Sequence, residues 1–513
     1  LINVRDAMRS AARANRNRLA VVSGGRSLTF GEAWDRGCRF ANAMIALGLK
    51  PGDRIAVLED NCIESSDFFL GTAAANFVRV PLYMRNSSES HAKMIAQTGC
   101  RAVVVDEQHK HQVQDLVSVV PSLEHIVVRG SDYEDWLASH DATDPDPAVD
   151  LDDYYIIRHS AGTTGSPKGM AFTHRAWMFT ERDWTYRLPP IELGDACTHV
   201  APISHGSGYL FVPIWLSGGY NILEPRFDVE RFVGLLSEHG GYTFAVPTIV
   251  SDIVAHAKAH ALPDMAKLKA MAIAGAPMRE QTARNAYALF GNALHQFFGQ
   301  TEAVPATWMT AREWFGEVPG SDPMRSVGRI MPFARVEIRD DDNRPLPLGE
   351  TGEIALQVDG QMEGIWGEPE MTAQRLVDGW VLSGDVGYID ENNYLYLVDR
   401  KDDMIISGGF NIWPAELEIV ISAHPAVREV AVVAAPHERW GETPAAIVVL
   451  HEGQSLSEQE VIALCAEKLG GYKKPSVVLI KHELLPRTPA GKIPRKQLRE
   501  GFWEKAAERI GGA

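Results

Sequence analysis

Ser160-Ala161-Gly162-Thr163-Thr164-Gly165-Ser166-Pro167-Lys168-Gly169 is a loop of glycines, hydroxyl side chains and a single lysine. It directly follows Tyr155-Ile156-Ile157, a short apolar run that reads as a strand. Glycines let backbone N–H groups turn toward an anion, while the hydroxyls and Lys168 add donors and charge. That is the chemistry of a triphosphate cradle. It differs from a Walker A loop, in which a helix opens at the lysine. Here Pro167 precedes Lys168 and Gly169 follows it, so no helix is expected there. Taken alone, the stretch reads equally well as a plain surface loop.

The chain of 513 residues exceeds one ordinary domain and can bury several cores. Hydrophobic residues make up 45% of it and charged residues 23%, an ordinary soluble globular composition. The formal charge of −17 argues against nucleic acid as a main partner. An anionic nucleotide must then be held by local donors. Cys38, Cys62, Cys100, Cys197 and Cys465 are odd in number and widely spaced, with no C-x-x-C. Neither a disulfide framework nor a zinc site is expected, and a reducing cytoplasm fits. No apolar run approaches the roughly 18 residues of a spanning helix, so no integral membrane segment is expected. Arg5, Arg9, Arg13, Arg16 and Arg18 crowd the N-terminus. Asp6 and the lack of a serine-rich stretch favour a surface helix with a basic face over a transit peptide.

Outward from the loop, strand and helix patterns alternate. Thr29-Phe30-Gly31-Glu32 reads as a capping box, and behind it Trp34, Cys38, Ala41 and Ile45 fall on one helical face. Lys50-Pro51-Gly52-Asp53 reads as a turn before a buried strand, Ile55-Ala56-Val57-Leu58. Further strands are expected at 102–105, 126–128 and 154–157. That rhythm means βα units and largely parallel sheets. From Arg335 the texture changes: 335–339 and 353–358 alternate in polarity with turn residues between them, as in a small antiparallel β unit. The charged run Asp399-Arg400-Lys401-Asp402-Asp403 marks a boundary, giving expected domains of 1–399 and 400–513. Beyond it Pro414 suits the first turn of a helix, and 429–434 and 445–450 read as strands. Ser457 with Glu460 caps a helix that stops at Gly470-Gly471. The expected fold is α/β and multidomain. A large N-terminal domain of doubly wound sheets carries a small β-barrel-like unit, and a small α+β domain follows.

Five more strings carry candidate chemistry. Ala274-Gly275-Ala276-Pro277 makes a tight turn after Met271-Ala272-Ile273. Phe297-Phe298-Gly299-Gln300-Thr301-Glu302 ends on a carboxylate, which a hard cation wants alongside phosphate oxygens. Trp380-Val381-Leu382-Ser383-Gly384-Asp385-Val386-Gly387-Tyr388 places Asp385 after a glycine, and two carboxylate oxygens match a vicinal diol. The charged run from Asp399 leads into Gly408-Gly409-Phe410. Pro486-Arg487-Thr488-Pro489-Ala490-Gly491-Lys492-Ile493-Pro494-Arg495 holds a lysine in a Pro/Gly loop. Each string alone also reads as an ordinary turn or solvated loop.

In this order and at these spacings, the six strings resemble the AMP-forming acyl-CoA synthetase superfamily, which also holds peptide-synthetase adenylation domains and beetle luciferases. The resemblance covers nearly the whole chain, although the first 150 residues carry no motif of their own. It implies ATP, Mg²⁺ and CoA as cofactors and a small carboxylic acid as substrate. Ser160, Gly162, Thr163, Thr164, Gly165 and Lys168 are then the phosphate cradle. Gly275, Ala276 and Pro277 line the adenine and acyl pockets. Phe298 stacks near the adenine in a cofactor-binding segment with Gly299 and Gln300. Thr301 contacts the α-phosphate and Glu302 helps hold Mg²⁺. Asp385 accepts both ribose hydroxyls, and Arg400 contacts ribose or phosphate. Asp402 is the hinge of a mobile C-terminal domain, and Gly408 and Gly409 lie in the pantetheine tunnel. Lys492 stabilises charge as the carboxylate attacks the α-phosphorus. The family usually has Tyr where this chain has Phe298; stacking survives and one hydroxyl is lost.

The implied reaction has two halves: acid and Mg·ATP give acyl-AMP and pyrophosphate, then a thiol attacks the acyl carbon and expels AMP. Ala201-Pro202-Ile203-Ser204-His205-Gly206-Ser207-Gly208-Tyr209 resembles the family's pocket-and-gate segment. His205 either sits near the substrate carboxylate or packs as a loop histidine. Gly206-Ser207-Gly208 does not fit the G-x-S-x-G elbow, so a serine hydrolase is unsupported. Trp184, Tyr186, Tyr209 and Val304 are further pocket candidates. With the small Gly275 and Ala276 they lean toward a medium-sized apolar acid, whether medium-chain fatty, alicyclic or aromatic. The runner-up reading loads a carrier-protein pantetheine; no carrier domain follows Ala513, which favours free CoA. A nucleotide-binding protein that has lost catalysis is the non-enzyme alternative, opposed by the presence of Lys168, Glu302, Asp385, Arg400 and Lys492. The oligomeric state is open, a homodimer included.

Overall fold

Runs of β-branched residues bounded by capped helices pair into sheets with the connections the sequence rhythm implies. The computed structural model describes residues 2–160, 168–276, 278–407, 410–437, 440–471, 473–487 and 493–510. In one sheet, Tyr154–Ser160, Val78–Tyr83, Arg54–Glu59, Ala102–Asp106 and His125–Arg129 lie side by side and parallel. Lys168–Thr173 runs antiparallel to Tyr154–Ser160, and Gly364–Ile365 forms the edge beyond it. Such strands are covered on both faces, which is why Ala102–Asp106 reads as a nearly unbroken apolar run. Ala56, Val80, Ile95, Val103, Val105 and Ile157 form the centre of its core.

A second, nine-stranded sheet has a parallel middle of Leu294–Gln300, Leu268–Ile273, Gly241–Ala245, Ala196–His199, Tyr220–Leu223 and Leu19–Ser23. Antiparallel strands close both sides: Ala303–Thr310 and Arg329–Ile330 at one, Arg26–Thr29 at the other. These are the two doubly wound sheets expected from the sequence.

The capping box at Thr29 and Glu32 starts the helix Phe30–Ala46. Trp34, Cys38 and Ala41 are buried along it, but Ile45 is 41% exposed, against expectation. This helix meets Ser65–Ala74 at Gly37 and Gly71, where an added Cβ would come within 2.7 Å of Leu70 and 2.6 Å of Phe40. Ile45 lies in the last turn of this helix, which is capped at Leu47, while the neighbouring Ala43 and Met44 stay buried. The N-terminal helix Val4–Ala14 also departs from expectation. Arg5 is not on a solvated basic face: it is 1% exposed, donating to the Ala74 carbonyl and pairing with Asp6, Asp144 and Asp146. A fully buried guanidinium persists only when paired in this way.

The β unit expected from 335 is a five-stranded sheet ordered Ala334–Arg339, Gly352–Val358, Trp380–Ile389 and Leu376–Val377, with Leu395–Arg400 also on Trp380–Ile389. The C-terminal segment has its own sheet, in which Gly441–Leu450 sits between Val427–His437 and Ile405–Ser407, antiparallel to both, and takes Val477–Lys481 in parallel. Pro414 opens the helix Pro414–Ser422, and the Ser457–Glu460 box opens Glu458–Leu469, which ends at Gly470. The chain divides into two compact units. One comprises Leu1–Val336, Leu356–Leu382 and Glu391–Leu395; the other comprises Glu337–Ala355, Ser383–Asp390 and Tyr396–Ala513. All five cysteines are free, and among the described residues no helix is long and apolar enough to cross a membrane.

Burial holds four histidines of the larger unit neutral: His159 is pushed down to about 3, and His174, His199 and His295 to about 4. Their folded values lie below the unfolded value near 6.5, so the native state binds fewer protons and loses stability as pH falls. Each costs about 2 kcal/mol by pH 5 on that basis. Asp67 and Asp183, raised by burial to about 6, take up protons in the same interval and offset part of that loss, so the melting temperature should fall on balance from pH 6.5 to pH 5. A flat profile across that interval would contradict the burial of these rings.

Candidate active site

The glycine-rich loop leaves the sheet at Ser160 and returns at Lys168, two residues directly paired across antiparallel strands. Lys168 therefore opens a strand, as its Pro and Gly neighbours imply, and the next helix begins only at His174. Gly169 must be small, since an added Cβ would stand 2.9 Å from Ile157 Cγ2 and 3.2 Å from His159 Nε2. Gly162, Thr163, Thr164 and Gly165, together with the Ser160 side chain, lie outside the described residues.

The carboxyl ends of the two parallel sheets are tied together beside this loop. Asn61, just past Arg54–Glu59, donates to the carbonyls of His199 and Ala201 at 3.0 Å each and accepts from the Ile203 N–H at 2.9 Å. Arg158 Nη2 reaches the Ser204 carbonyl at 3.3 Å, and the Tyr83 and His205 rings meet edge-on at 5.1 Å. His205 thus stands where strand ends of both sheets converge, with its Nδ1 2.9 Å from Ser204 Oγ. In open α/β sheets, the crevice outside the carboxyl ends of the strands is where ligands bind. Asn61 was not legible in the sequence, because Asp60-Asn61-Cys62 has the composition of any turn.

The other candidates of the larger unit occupy equivalent positions. Gly275 and Ala276 follow Leu268–Ile273 and are exposed, with Gly275 at φ +92°; Pro277 lies outside the described residues. Phe298, Gly299 and Gln300 end Leu294–Gln300 and are half-buried, whereas Phe297 is buried, stacked on Trp308 at 5.0 Å. An added Cβ on Gly299 would come within 2.7 Å of Val304 Cγ2.

Thr301 and Glu302 form the link to the antiparallel strand Ala303–Thr310. Glu302 is 5% exposed, and Arg375 Nη2 lies 3.4 Å from its Oε1 and 3.4 Å from Gln300 Oε1. Charge-assisted pairs close to about 2.7–2.9 Å, so this carboxylate keeps acceptor capacity. Among the described residues no group of three His, Cys, Asp or Glu side chains could hold a metal. Mg²⁺ needs only one or two carboxylates when phosphate oxygens complete its shell, and Glu302 fits that demand. Arg375 carried no signal in the sequence.

In the smaller unit, Asp385 is 8% exposed and Arg400 Nε lies 3.2 Å from its Oδ1. The preceding Gly384, at φ +69°, donates its N–H to Glu353 Oε1 at 3.1 Å, and Lys401 Nζ holds Glu353 Oε2 at 3.0 Å. The fourth and fifth strings thus meet at Asp385 and Arg400. Arg495 joins the fifth and sixth: it binds Asp399 at 2.9 Å, Asp403 at 3.0 Å and Glu418 at 2.6 Å. Asp402 lies in the short turn Lys401–Asp403. Its side chain, Gly408, Gly409 and Lys492 lie outside the described residues.

Residues 8–366 match the AMP-binding enzyme family and residues 416–492 match the AMP-binding enzyme C-terminal domain. A feruloyl-CoA synthase from Amycolatopsis sp. is 33% identical over 504 residues, covering 96% of this chain and 97% of its own. The fatty acid–acyl-carrier-protein ligase ScoC of Streptomyces coeruleorubidus is 31% identical over 500 residues, covering 96% of this chain and 95% of its own. The crystal structure of ATP-bound MatB from Rhodopseudomonas palustris superimposes with a TM-score of 0.87 at 26% identity, covering 98% of this chain and 99% of that one.

Asn61→Ala removes three buried hydrogen bonds and strands their partners. We expect a loss of about 2–4 kcal/mol in urea unfolding. A loss below about 0.5 kcal/mol would show that the two sheet ends are held by other contacts.

Proposed function

This chain belongs to the AMP-binding enzyme family and is an enzyme of the AMP-forming acid–thiol ligase type, and on that premise we propose that it joins a medium-sized, largely apolar carboxylic acid to CoA through an acyl-adenylate. The observation that carries this reading is the buried Glu302 carboxylate with acceptor capacity to spare, set at the carboxyl end of a parallel strand.

In the proposed chemistry, Lys168 and the glycine-rich loop hold the phosphates through local donors, Phe298 lies against the adenine and Thr301 contacts the α-phosphate. Glu302 holds Mg²⁺, which when bound neutralises phosphate charge. Asp385 accepts the ribose hydroxyls with Arg400 beside it. His205 positions the acid carboxylate, and its neighbour His159 is held neutral by burial, so it adds no competing cation. Lys492 places positive charge on the oxygen that attacks the α-phosphorus, which is electrostatic stabilisation of a developing anion. After pyrophosphate leaves, a thiol attacks the acyl carbon and AMP departs. Gly408 and Gly409 are the proposed passage for the thiol's pantetheine arm, and Asp402 is the proposed pivot between the two steps, with 1–399 and 400–513 as the moving parts. The five free thiols suit a reducing, cytoplasmic setting.

A second acceptor, pantetheine on a carrier protein, is favoured by one observation, the likeness to ScoC. Both acceptors share the adenylation step.

Mass spectrometry of a pooled acid library with ATP, Mg²⁺ and CoA tests the reading. A new acyl-CoA supports it, acyl-AMP without acyl-CoA moves the acceptor to a carrier protein, and neither product contradicts it. Lys492→Ala should lower adenylation by at least about 100-fold, the scale of losing one charge-stabilising donor, while sparing thioester formation from supplied acyl-AMP. Equal loss of both steps would refute that division of labour.

A further inference from the structure

The helix His174–Arg187 carries Trp177, Glu181 and Trp184 at i, i+4 and i+7, the spacing of one helical face. All three are buried, Glu181 at 3% exposure and Trp184 at 0%. Tyr209, at the end of the segment that Asn61 ties down, stacks on both tryptophans at centroid distances of 5.4 Å. Trp184 also packs edge-on to Phe297 at 4.8 Å, the residue before Phe298. Arg158, which holds the Ser204 carbonyl, lies 4.2 Å over the Tyr209 ring. The group is therefore continuous with the proposed acid and nucleotide site, and Tyr209 lies within electrostatic reach of Arg158, Glu302 and Glu181.

This aromatic cluster holds an unusual set of polar atoms without partners. Both Glu181 carboxyl oxygens, Trp177 Nε1, Trp184 Nε1 and the Tyr209 hydroxyl are buried and make no hydrogen bond among the described residues. The Trp177 indole lies close enough to Glu181 to favour its ionised form slightly, although the two do not meet in hydrogen-bond geometry. Buried polar groups are nearly always paired, and several orphans together point to a water or a ligand that belongs with them. Burial pushes the Glu181 carboxyl well above the usual carboxylate range, so it is a neutral acid that can donate and accept. An indole N–H can only donate. The cluster is thus rich in donors and calls for an acceptor. An ammonium group offers no lone pair to the indoles. A second carboxylate would set its charge beside the Glu181 carboxyl, on which no cation acts directly, and the nearest guanidinium, Arg158 over the Tyr209 ring, is engaged with the Ser204 carbonyl.

We propose that Trp177, Glu181, Trp184 and Tyr209 form the specificity-determining end of the acid pocket and select an acyl group bearing a neutral oxygen, a hydroxyl or a carbonyl, away from its carboxylate. The inference rests on the ligase reading above and narrows its substrate from a wholly apolar acid to an oxygenated one. A site built to hydrogen-bond a substrate oxygen rejects the analogue that lacks it, because its own polar groups are then left unpaired. Glu181 binds substrate in this account and takes no part in bond making.

The test compares acid-dependent AMP formation, as kcat/KM, for matched pairs of acids of equal chain length with and without a distal hydroxyl or oxo group. Wild type should favour the oxygenated member by at least about 10-fold, the equivalent of one well-made hydrogen bond. Glu181→Leu should bring that ratio to about one, and Glu181→Gln, which still donates and accepts, should retain most of it. Equal kcat/KM for both members in wild type, an unchanged ratio in Glu181→Leu, or a preference for dicarboxylic or amino acids over hydroxy acids would each overturn the proposal. A raised melting temperature in Glu181→Leu with the ratio unchanged would assign the orphaned carboxyl to structure alone. Should wild type form AMP with no acid at all, the ligase reading fails instead, which keeps the two failures apart.

Discussion

The three hydrogen bonds of Asn61 are the constraint on which the larger unit's site depends. Each parallel sheet is a complete, self-covered layer, and nothing in sheet pairing alone fixes where the carboxyl ends of one stand against those of the other. Asn61 supplies that link by satisfying two carbonyls and an N–H of the segment 199–203, all buried. An amide side chain has both donors and an acceptor, so it can bind a strand end on both sides at once. With that segment fixed, His205 is placed against Tyr83, Arg158 against Tyr209, and Tyr209 against the helix that carries Trp177 and Trp184. A side chain of one sheet thus sets the geometry of pocket residues borne by the other.

Much of the architecture was legible because local signals agreed with the final packing. The capping boxes at Thr29 and Ser457 start helices where they stand, and unbroken runs such as Ala102–Asp106 are strands covered on both faces. The failures share one cause, which is that tertiary partners are invisible to a local pattern. Ile45 lies on the right helical face but is left exposed in the helix's last turn. Arg5 looked like part of a solvated basic face, yet Asp144 and Asp146, far along the chain, draw it inside. In the site, glycines and carboxylates in recognisable strings could be read, while Asn61, Arg375 and Arg158 could not. Their importance comes from what they reach across space, and their flanking residues carry no periodicity or motif. Glu181 is the sharpest case, since a glutamate in a helix is ordinarily solvated and only the fold shows that this one is buried among aromatic rings.

The electrostatics follow from the same arrangement. A chain with a formal charge of −17 cannot draw an anionic nucleotide by its overall field. Binding must come from local donors, and those proposed are the glycine-rich loop with Lys168, Arg375 beside Glu302, and Arg400 beside Asp385. Both candidate carboxylates are thereby kept close to a guanidinium. Burial does the opposite work on His159 and Glu181, holding one ring and one carboxyl neutral. Burial thus leaves Arg158, over the Tyr209 ring, as a cation beside otherwise neutral groups.

The central claim is that this chain activates a carboxylic acid by adenylation. Isotope exchange between pyrophosphate and ATP, followed in the absence of CoA, tests that step alone. The account predicts exchange that requires both Mg²⁺ and a carboxylic acid and that rises with the acid's fit to the pocket. Release of ADP and phosphate without any acid, or no exchange across a broad acid panel, would contradict it.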